Sequence, residues 1–282
     1  EVAAASQAAA IQEWQPGGNP MTYSEYTHWR DNRLAGTPDV SVVIPAYNES
    51  ERIVPTIGAI SAHLCGSGLS WELVVSDDGS SDGTPDLVRS LGLANVTVLE
   101  PGVNRGKGAA VRDGVMAARG RFVLFSDADM STPIEEFDRL LAAVGKGVGV
   151  AVASRAADGA KECGRGRARS FISAVLRGGV RKTTGVHVKD TQCGFKLFTR
   201  ESARSLFRAS RVDGFSFDLE ILWLAQRWGL GIEEIPVQWI EAPGSTVKPG
   251  RESLRFLRDV AALRYRDLRG HYSPSMPAAV AA

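Results

Sequence analysis

The stretch that most constrains this chain is Arg121-Phe122-Val123-Leu124-Phe125-Ser126-Asp127-Ala128-Asp129. Its apolar run, with β-branched and aromatic members, reads as a strand buried on both faces that ends in two carboxylates one residue apart. In an open α/β sheet, ligands bind at the carboxyl ends of the strands. Two carboxylates there repel each other and lose hydration, so they need a cation. A hard divalent ion with oxygen ligands, Mg²⁺ or Mn²⁺, suits them and keeps positions open for substrate phosphates. The alternative at this point is that Asp127 and Asp129 merely cap a helix starting near Pro133.

The rest of the chain repeats the pattern. Val40-Ser41-Val42-Val43-Ile44-Pro45 reads as a buried strand, followed by a helix that Ser50 can cap and that runs to about Cys65. Glu72-Leu73-Val74-Val75-Ser76-Asp77-Asp78-Gly79 is a second buried strand ending in acids and a glycine-rich turn, before a helix from about Pro85. A third strand, Val96–Leu99, leads through Gly102-Val103-Asn104-Arg105-Gly106-Lys107-Gly108 into a helix ending near Ala118. Strand–helix alternation at this spacing predicts a mostly parallel sheet with right-handed crossovers and helices on its faces. Three strand ends then bring Pro45 to Glu49, Asp77-Asp78 and Asp127 to Asp129 to one edge. Gly106-Lys107-Gly108 could offer backbone N–H groups and a lysine to phosphate. It is not a Walker loop, and a tight turn explains it as well.

Further on, 134–144 reads as a helix, 148–154 as a strand ending at Arg155, 217–228 as a helix and 232–239 as one strand. Asp190-Thr191-Gln192-Cys193-Gly194-Phe195-Lys196 forms a turn leading to another strand. Two basic amphipathic helices are expected, over 165–177 and over 250–268. Each could lie on an anionic membrane surface or pack its apolar face on the core. Residues 1–38 read as an N-terminal extension, partly flexible, whose Trp14, Tyr23, Tyr26 and Trp29 could pack on the body. Residues 39–269 read as one domain and 270–282 as a flexible tail.

With 44% hydrophobic and 23% charged residues and a formal charge of +1, the chain is globular in composition. Near-neutral charge argues against a general nucleic-acid binder. Cys65, Cys163 and Cys193 form neither a CxxC pair nor an even framework, as expected for reduced thiols in the cytosol. No apolar run approaches the roughly 20 residues that span a bilayer. The chain opens at Glu1 without a methionine, which suggests a trimmed upstream segment, and no secretory signal is visible.

Four ordered segments together resemble glycosyltransferase family 2, the inverting GT-A enzymes that use nucleotide-sugars. They are Val42-Val43-Ile44-Pro45-Ala46-Tyr47-Asn48-Glu49, Ser76-Asp77-Asp78-Gly79-Ser80 with Asp82-Gly83-Thr84, Asn104-Arg105-Gly106-Lys107-Gly108, and Asp127-Ala128-Asp129. The segment from Asp190 to Arg200, Phe217-Asp218-Leu219-Glu220 and Gly244-Ser245-Thr246-Val247-Lys248 are most similar to the members that glucosylate dolichyl phosphate and bacterial polyprenyl phosphates. The resemblance implies a GT-A nucleotide-sugar-binding fold with amphipathic helices at the membrane interface. It implies that Asp77 accepts from a uracil-type base, with Pro45, Tyr47 and Glu49 around the nucleoside. Asp127 would contact ribose or a metal-bound water, and Asp129 the metal bridging the diphosphate. Lys107 would lie near the donor, while Arg155, Arg169 and Ser173 would hold the acceptor phosphate. Asp78, Ala128, Asp190, Gln192 and Lys248 complete the expected substrate contacts. One departure concerns Ser131, where mannose-transferring relatives often carry a glutamine as a further metal ligand.

The implied reaction moves a hexose, glucose from UDP-glucose, to a polyprenyl or dolichyl monophosphate. The implied place is the cytoplasmic face of a cell or endoplasmic reticulum membrane, held peripherally by an anionic surface, and a homo-oligomer stays open. The alternatives are a polyprenyl-phosphate mannose synthase using GDP-mannose and a family 2 transferase acting on a glycan hydroxyl. The latter needs a carboxylate base, for which Asp190, Asp218 and Glu220 are the candidates. A non-catalytic nucleotide-sugar sensor on the same fold is a further alternative.

Overall fold

The computed structural model describes residues 23–163, 184–240 and 249–273, without the side chains of 162–163 and 249–257. The expected helix over 165–177, Trp14, Arg169, Ser173, Lys248 and the stretch 274–282 lie outside the described residues.

After helix α1 (Tyr23–Asp31), strand β1 (Val40–Ala46), helix α2 (Ile53–Cys65), strand β2 (Trp71–Asp77), helix α3 (Thr84–Ser90) and strand β3 (Val96–Leu99) follow in strict alternation. Helix α4 (Lys107–Ala117) then feeds β4 (Phe122–Ser126). A 3₁₀ turn at Ile134–Glu136 opens α5 (Phe137–Gly145), which leads to β5 (Val150–Ser154) and the short β6 (Lys161–Cys163). The remainder comprises β7 (Phe195–Thr199), α6 (Arg200–Ala209), α7 (Phe217–Arg227), β8 (Ile232–Pro236), β9 (Gln238–Ile240) and α8 (Pro249–Leu268).

The main sheet has the order β3-β2-β1-β4-β7-β5-β8. β1 pairs in parallel with β2 from Val40↔Trp71 to Ala46↔Asp77, and with β4 from Val40↔Phe122 to Val43↔Phe125. Pairing to β4 ends before Pro45, so the missing proline N–H removes no bond on that side. β7 is antiparallel to both β4 and β5. Strand order reverses direction between β1 and β4, and that switch point is where open α/β sheets place their ligands. The run expected as one strand over 232–239 divides at Val237. Its second part pairs with β6 in a separate two-stranded ribbon, a short element with no pattern to betray it.

Every residue of β1 and β2 is buried, as the unbroken β-branched runs require when helices cover both faces. One core layer joins α2, α5 and the β1–β2 face. The other joins α4, α6, α7 and the opposite face, and it takes in Val260 and Leu263 of α8. Those two residues are therefore core positions and not the membrane-interface surface expected of α8. Tyr272, expected in the tail, is buried against Trp223 and donates its hydroxyl to Glu220. At the other end, Trp29 stacks on Trp71 with ring centroids 4.0 Å apart, and its Nε1 donates to the Trp71 carbonyl at 2.8 Å. The expected Ser50 cap is absent: α2 starts after Arg52, and the Ser50 N–H donates to Asp82 instead.

Candidate active site

The parallel strands deliver their acidic tips side by side. β4 ends at Ser126, and Asp127, Asp129, Ser131 and Thr132 follow around a cleft. The cleft is also lined by Arg155, just past the end of β5, by Gln192 and Gly194 from the turn before β7 and by Trp239 from the ribbon. Asp127 and Asp129 cap no helix. The Asp129 Oδ1 accepts from the Ser131 N–H at 2.9 Å inside its own turn, where Met130 takes a positive φ of 50°. Asp127 donates its N–H to the Gly194 carbonyl at 2.9 Å, and its Oδ1 lies 2.6 Å from the Lys107 ammonium. A Cβ at position 194 would sit 1.9 Å from Asp127 Oδ2, so any larger residue there must displace that carboxylate. Nothing in the sequence marked Gly194 as a site residue beyond its place in the turn.

Asp77 ends β2 next to this cluster and is 1% exposed. Its Oδ2 accepts from the N–H groups of Gly79 and Ser80, both at 2.9 Å. Its Oδ1 is buried and, among the described residues, has no donor. A buried acceptor left in that condition costs about 1–3 kcal/mol unless a ligand donates to it. Pro45 is buried inside β1, Tyr47 beyond the strand end is 51% exposed, and Asn48 accepts from Ser81 in a left-handed conformation. Burial raises the Glu49 carboxyl above its ordinary range against the pull of Arg52, and the negative charges of Asp129 and Asp127 push the same way.

Several expected site residues turn out to serve the frame. Asp78 spends both oxygens on the N–H groups of Arg105 and Gly106, at 2.7 to 3.0 Å, and so holds the glycine loop. The Gly108 and Ala109 N–H groups both go to the Asp213 carbonyl. The start of α4 is thus closed to phosphate through those groups, and Lys107 faces Asp127. Ala128 packs into the core and its carbonyl accepts from Thr56 at 2.6 Å.

Arg155 is braced from two sides. Its Nε and Nη2 donate to the two oxygens of Asp190 at 2.7 and 2.8 Å, and its guanidinium lies 5.5 Å from the ring centre of Trp239. Burial alone would push the Asp190 carboxyl up, but the hydrogen bonds and charge of Arg155 prevail and hold it at about 2. The ribbon is tied to the carboxylate turn, since the Ile240 N–H donates to the Ser131 carbonyl at 2.9 Å. Trp239 escaped sequence reading because it sits on the part of the run that leaves the main sheet.

None of the three carboxylates considered as bases is available for that work. Asp190 is committed to Arg155, buried Asp218 to Lys196, and Glu220 to the N–H groups of Arg211 and Val212 and the Tyr272 hydroxyl. Cys65 and Cys193 are free thiols. Among the described residues no cluster of three or more His, Cys, Asp or Glu is arranged to hold a metal, and no helix is long and apolar enough to cross a membrane.

A mixed seven-stranded sheet with three acidic tips at its switch point, an Asp-x-Asp turn and a braced arginine in the same cleft define a glycosyl transferase of the GT-A architecture. The sequence model described as Glycosyl transferase family 2 matches residues 41–207, and the chain belongs to that family. It is 37% identical to the dolichyl-phosphate beta-glucosyltransferase of Drosophila melanogaster, over 82% of this chain and 76% of that one. It is 35% identical to the protein of the same name from Dictyostelium discoideum, over 82% and 75%. Among solved structures, glucosyl-3-phosphoglycerate synthase from Mycobacterium tuberculosis in complex with Mn²⁺, uridine diphosphate and glucosyl-3-phosphoglycerate is 26% identical. It superposes with a TM-score of 0.60 over 89% of this chain and 84% of that one.

Proposed function

We infer that this protein transfers glucose from UDP-glucose to a dolichyl or other polyprenyl monophosphate, giving a β-linked lipid-phosphate glucose. The observation that carries the reading is the braced Arg155 in the same cleft as Asp127 and Asp129. A guanidinium fixed in this way suits a phosphate acceptor through its permanent positive charge, Asp190 setting its orientation. The names of the fly and slime-mould relatives support both the sugar and the acceptor.

The residues then divide the work. Asp77 Oδ1, which has no donor among the described residues, would accept from the uracil imide, with exposed Tyr47 just beyond the end of β1. Asp127 and Asp129 form the kind of sparse, hard-oxygen donor set that holds a divalent ion together with substrate phosphates. Bound there, Mg²⁺ or Mn²⁺ would stabilise the charge that grows on the departing diphosphate. Lys107 adds a positive charge at the same edge. Arg155 orients the acceptor phosphate, whose second pKa near 6 leaves it largely ionised at neutral pH. One of its oxygens attacks the anomeric carbon as the bond to the UDP oxygen breaks, and the configuration inverts. No protein base is required, in keeping with the commitment of Asp190, Asp218 and Glu220 elsewhere. Arg169 and Ser173 are proposed as further phosphate contacts and Lys248 as a further donor contact. Association with an anionic membrane surface belongs to the same proposal, since the acceptor cannot leave the bilayer.

The test is a turnover assay with UDP-glucose and dolichyl phosphate in mixed micelles against UDP-glucose and a soluble glucan. The expected result is glucolipid formation and no glucan extension. Glucan extension without glucolipid would overturn the reading.

A further inference from the structure

The loop after β1 and the turn after β2 are fastened to each other by side chains to which the reaction gives no work. Past the end of β1, successive N–H groups donate to side-chain oxygens of that turn: Asn48 to Ser80, Glu49 to Thr84 and Ser50 to Asp82, each at 2.9 Å. In the opposite direction the Ser81 N–H donates to Asn48 Oδ1, also at 2.9 Å. Asp82 is the hub. Its Oδ2 takes the Ser50 N–H, and its Oδ1 takes the Thr84 N–H at 3.0 Å and the Thr84 hydroxyl at 2.6 Å. With its own hydrogen committed to Asp82, the Thr84 hydroxyl oxygen is left to accept from Glu49.

Exposed hydrogen bonds of this kind replace bonds to water and add little to stability. What they fix is geometry. Asn48 is held at a φ of 55°, in the left-handed region, a conformation that its surroundings must impose. Tyr47 stands on this loop with its ring exposed. Asp77 stands at the head of the turn, where its Oδ2 accepts from Gly79 and Ser80. The acceptor and the ring assigned to one nucleoside therefore sit on two segments whose spacing Asp82 sets. A ring already held in its bound place loses less freedom when a ligand arrives, so binding tightens without a new contact.

We propose that Asp82 is a positioning residue for the nucleotide: by joining Ser50 to Thr84 it holds the Tyr47 loop at a fixed distance from Asp77 and pre-forms the nucleoside slot. This rests on the reading of that edge as the donor site, and it gives Asp82 no contact with substrate.

UDP is the probe, titrated calorimetrically with Mn²⁺ present and no acceptor, so no turnover is needed. Asp82→Asn has a single carbonyl for two sets of donors. With that carbonyl on Thr84, its amide N–H₂ meets the Ser50 N–H and the link is lost. The variant should melt within a few degrees of wild type and bind UDP about tenfold more weakly, the worth of about one contact. Tyr47→Ala should also lose about tenfold. The double variant Tyr47→Ala/Asp82→Asn should bind no more weakly than Tyr47→Ala alone, because Asp82 then has no ring to position. A general structural defect would instead add to the first loss and give about a hundredfold. Wild-type affinity in Asp82→Asn or in Tyr47→Ala, or additive losses in the double variant, would overturn the proposal. Should Asp82→Asn fail to fold, Ser80→Ala removes the acceptor of the Asn48 N–H and goes through the same cycle with the same expectation. Wild type that binds no UDP would overturn the donor assignment, and this proposal with it.

Discussion

The carboxylates of the site differ in what each has left to give, and this decides what a single substitution does. Asp77 has one oxygen filled and one without a donor among the described residues. Asp77→Asn keeps an acceptor for Gly79 and Ser80 but turns an amide donor toward the base. The KM for UDP-glucose should rise about tenfold to a hundredfold with kcat within a few-fold, because the lost contact binds ground and transition states equally. A fall in kcat at unchanged KM in steady-state kinetics would assign Asp77 to the chemistry. Gly194→Ala works through geometry. Its methyl group would lie 1.9 Å from Asp127 Oδ2 and must displace the carboxylate. A misplacement of about 1 Å costs about a hundredfold in turnover, while far-ultraviolet circular dichroism and melting should change little. The strand-tip carboxylates Asp77 and Asp127 stand out in the sequence, and the structure puts Asp127 on the cleft and Asp77 at the end of β2. Asp78, beside Asp77, and Asp190, in the turn before β7, carry the same chemistry, and in the fold one holds a backbone loop and the other an arginine. Sequence displays a side chain's chemistry and not the partner that consumes it.

At the level of elements, two attachments separate stability from activity. α1 joins the body through the Trp29 ring on Trp71 and through Asn95, whose Nδ2 donates to the Trp29 and Asn32 carbonyls. Trp29→Ala should cost about 3–5 kcal/mol in chemical denaturation and leave the kinetic constants alone, since α1 is remote from the strand tips. The second attachment joins the end of β5 to the turn before β7 through Arg155 and Asp190. The folded-state pKa of Asp190, about 2, lies below the unfolded value near 3.9. Its contribution, about 2 kcal/mol, is therefore fully present above pH 4 and is lost as pH falls toward 2. Asp190→Asn should destabilise the protein at pH 7 by at least that amount. The gap in melting temperature from wild type should narrow from pH 4 to pH 2. A gap that stays constant with pH would mean the charge of Asp190 is not what matters. The alternating elements from β1 to β4 were readable because each strand is an unbroken apolar run closed by a polar turn. The β6–β9 ribbon and the antiparallel sense of β7 were not, since three-residue strands carry no period and strand direction is set by the connections.

For the molecule as a whole, the sheet order explains why function gathers where it does. β1 and β4 part company at the switch point, and the tips of β1, β2 and β4 all open there. β7 runs against them and brings the turn 190–194 back to the same edge. The carboxylates of the Asp-x-Asp turn and Arg155 thus line one cleft although 28 residues of sequence separate Asp127 from Arg155. The apolar face of α8 shows the limit of reading a helix alone. Its basic, amphipathic pattern fits a membrane surface and a protein core equally, and Val260 and Leu263 choose the core because α7 and Tyr272 are there to cover them.

On the proposed function, this edge binds a nucleotide-sugar through a cation held by Asp129 and Asp127. Calorimetric titration of UDP-glucose into wild type and Asp129→Ala, each with Mn²⁺ and with EDTA, tests it directly. Wild type should bind at least tenfold more tightly with Mn²⁺ than with EDTA, because a divalent ion held by Asp127 and Asp129 would offset the repulsion between these carboxylates and the diphosphate. Asp129→Ala should remain folded and lose that difference. Equal affinity of wild type with Mn²⁺ and with EDTA, or a full metal effect retained in Asp129→Ala, would contradict the account.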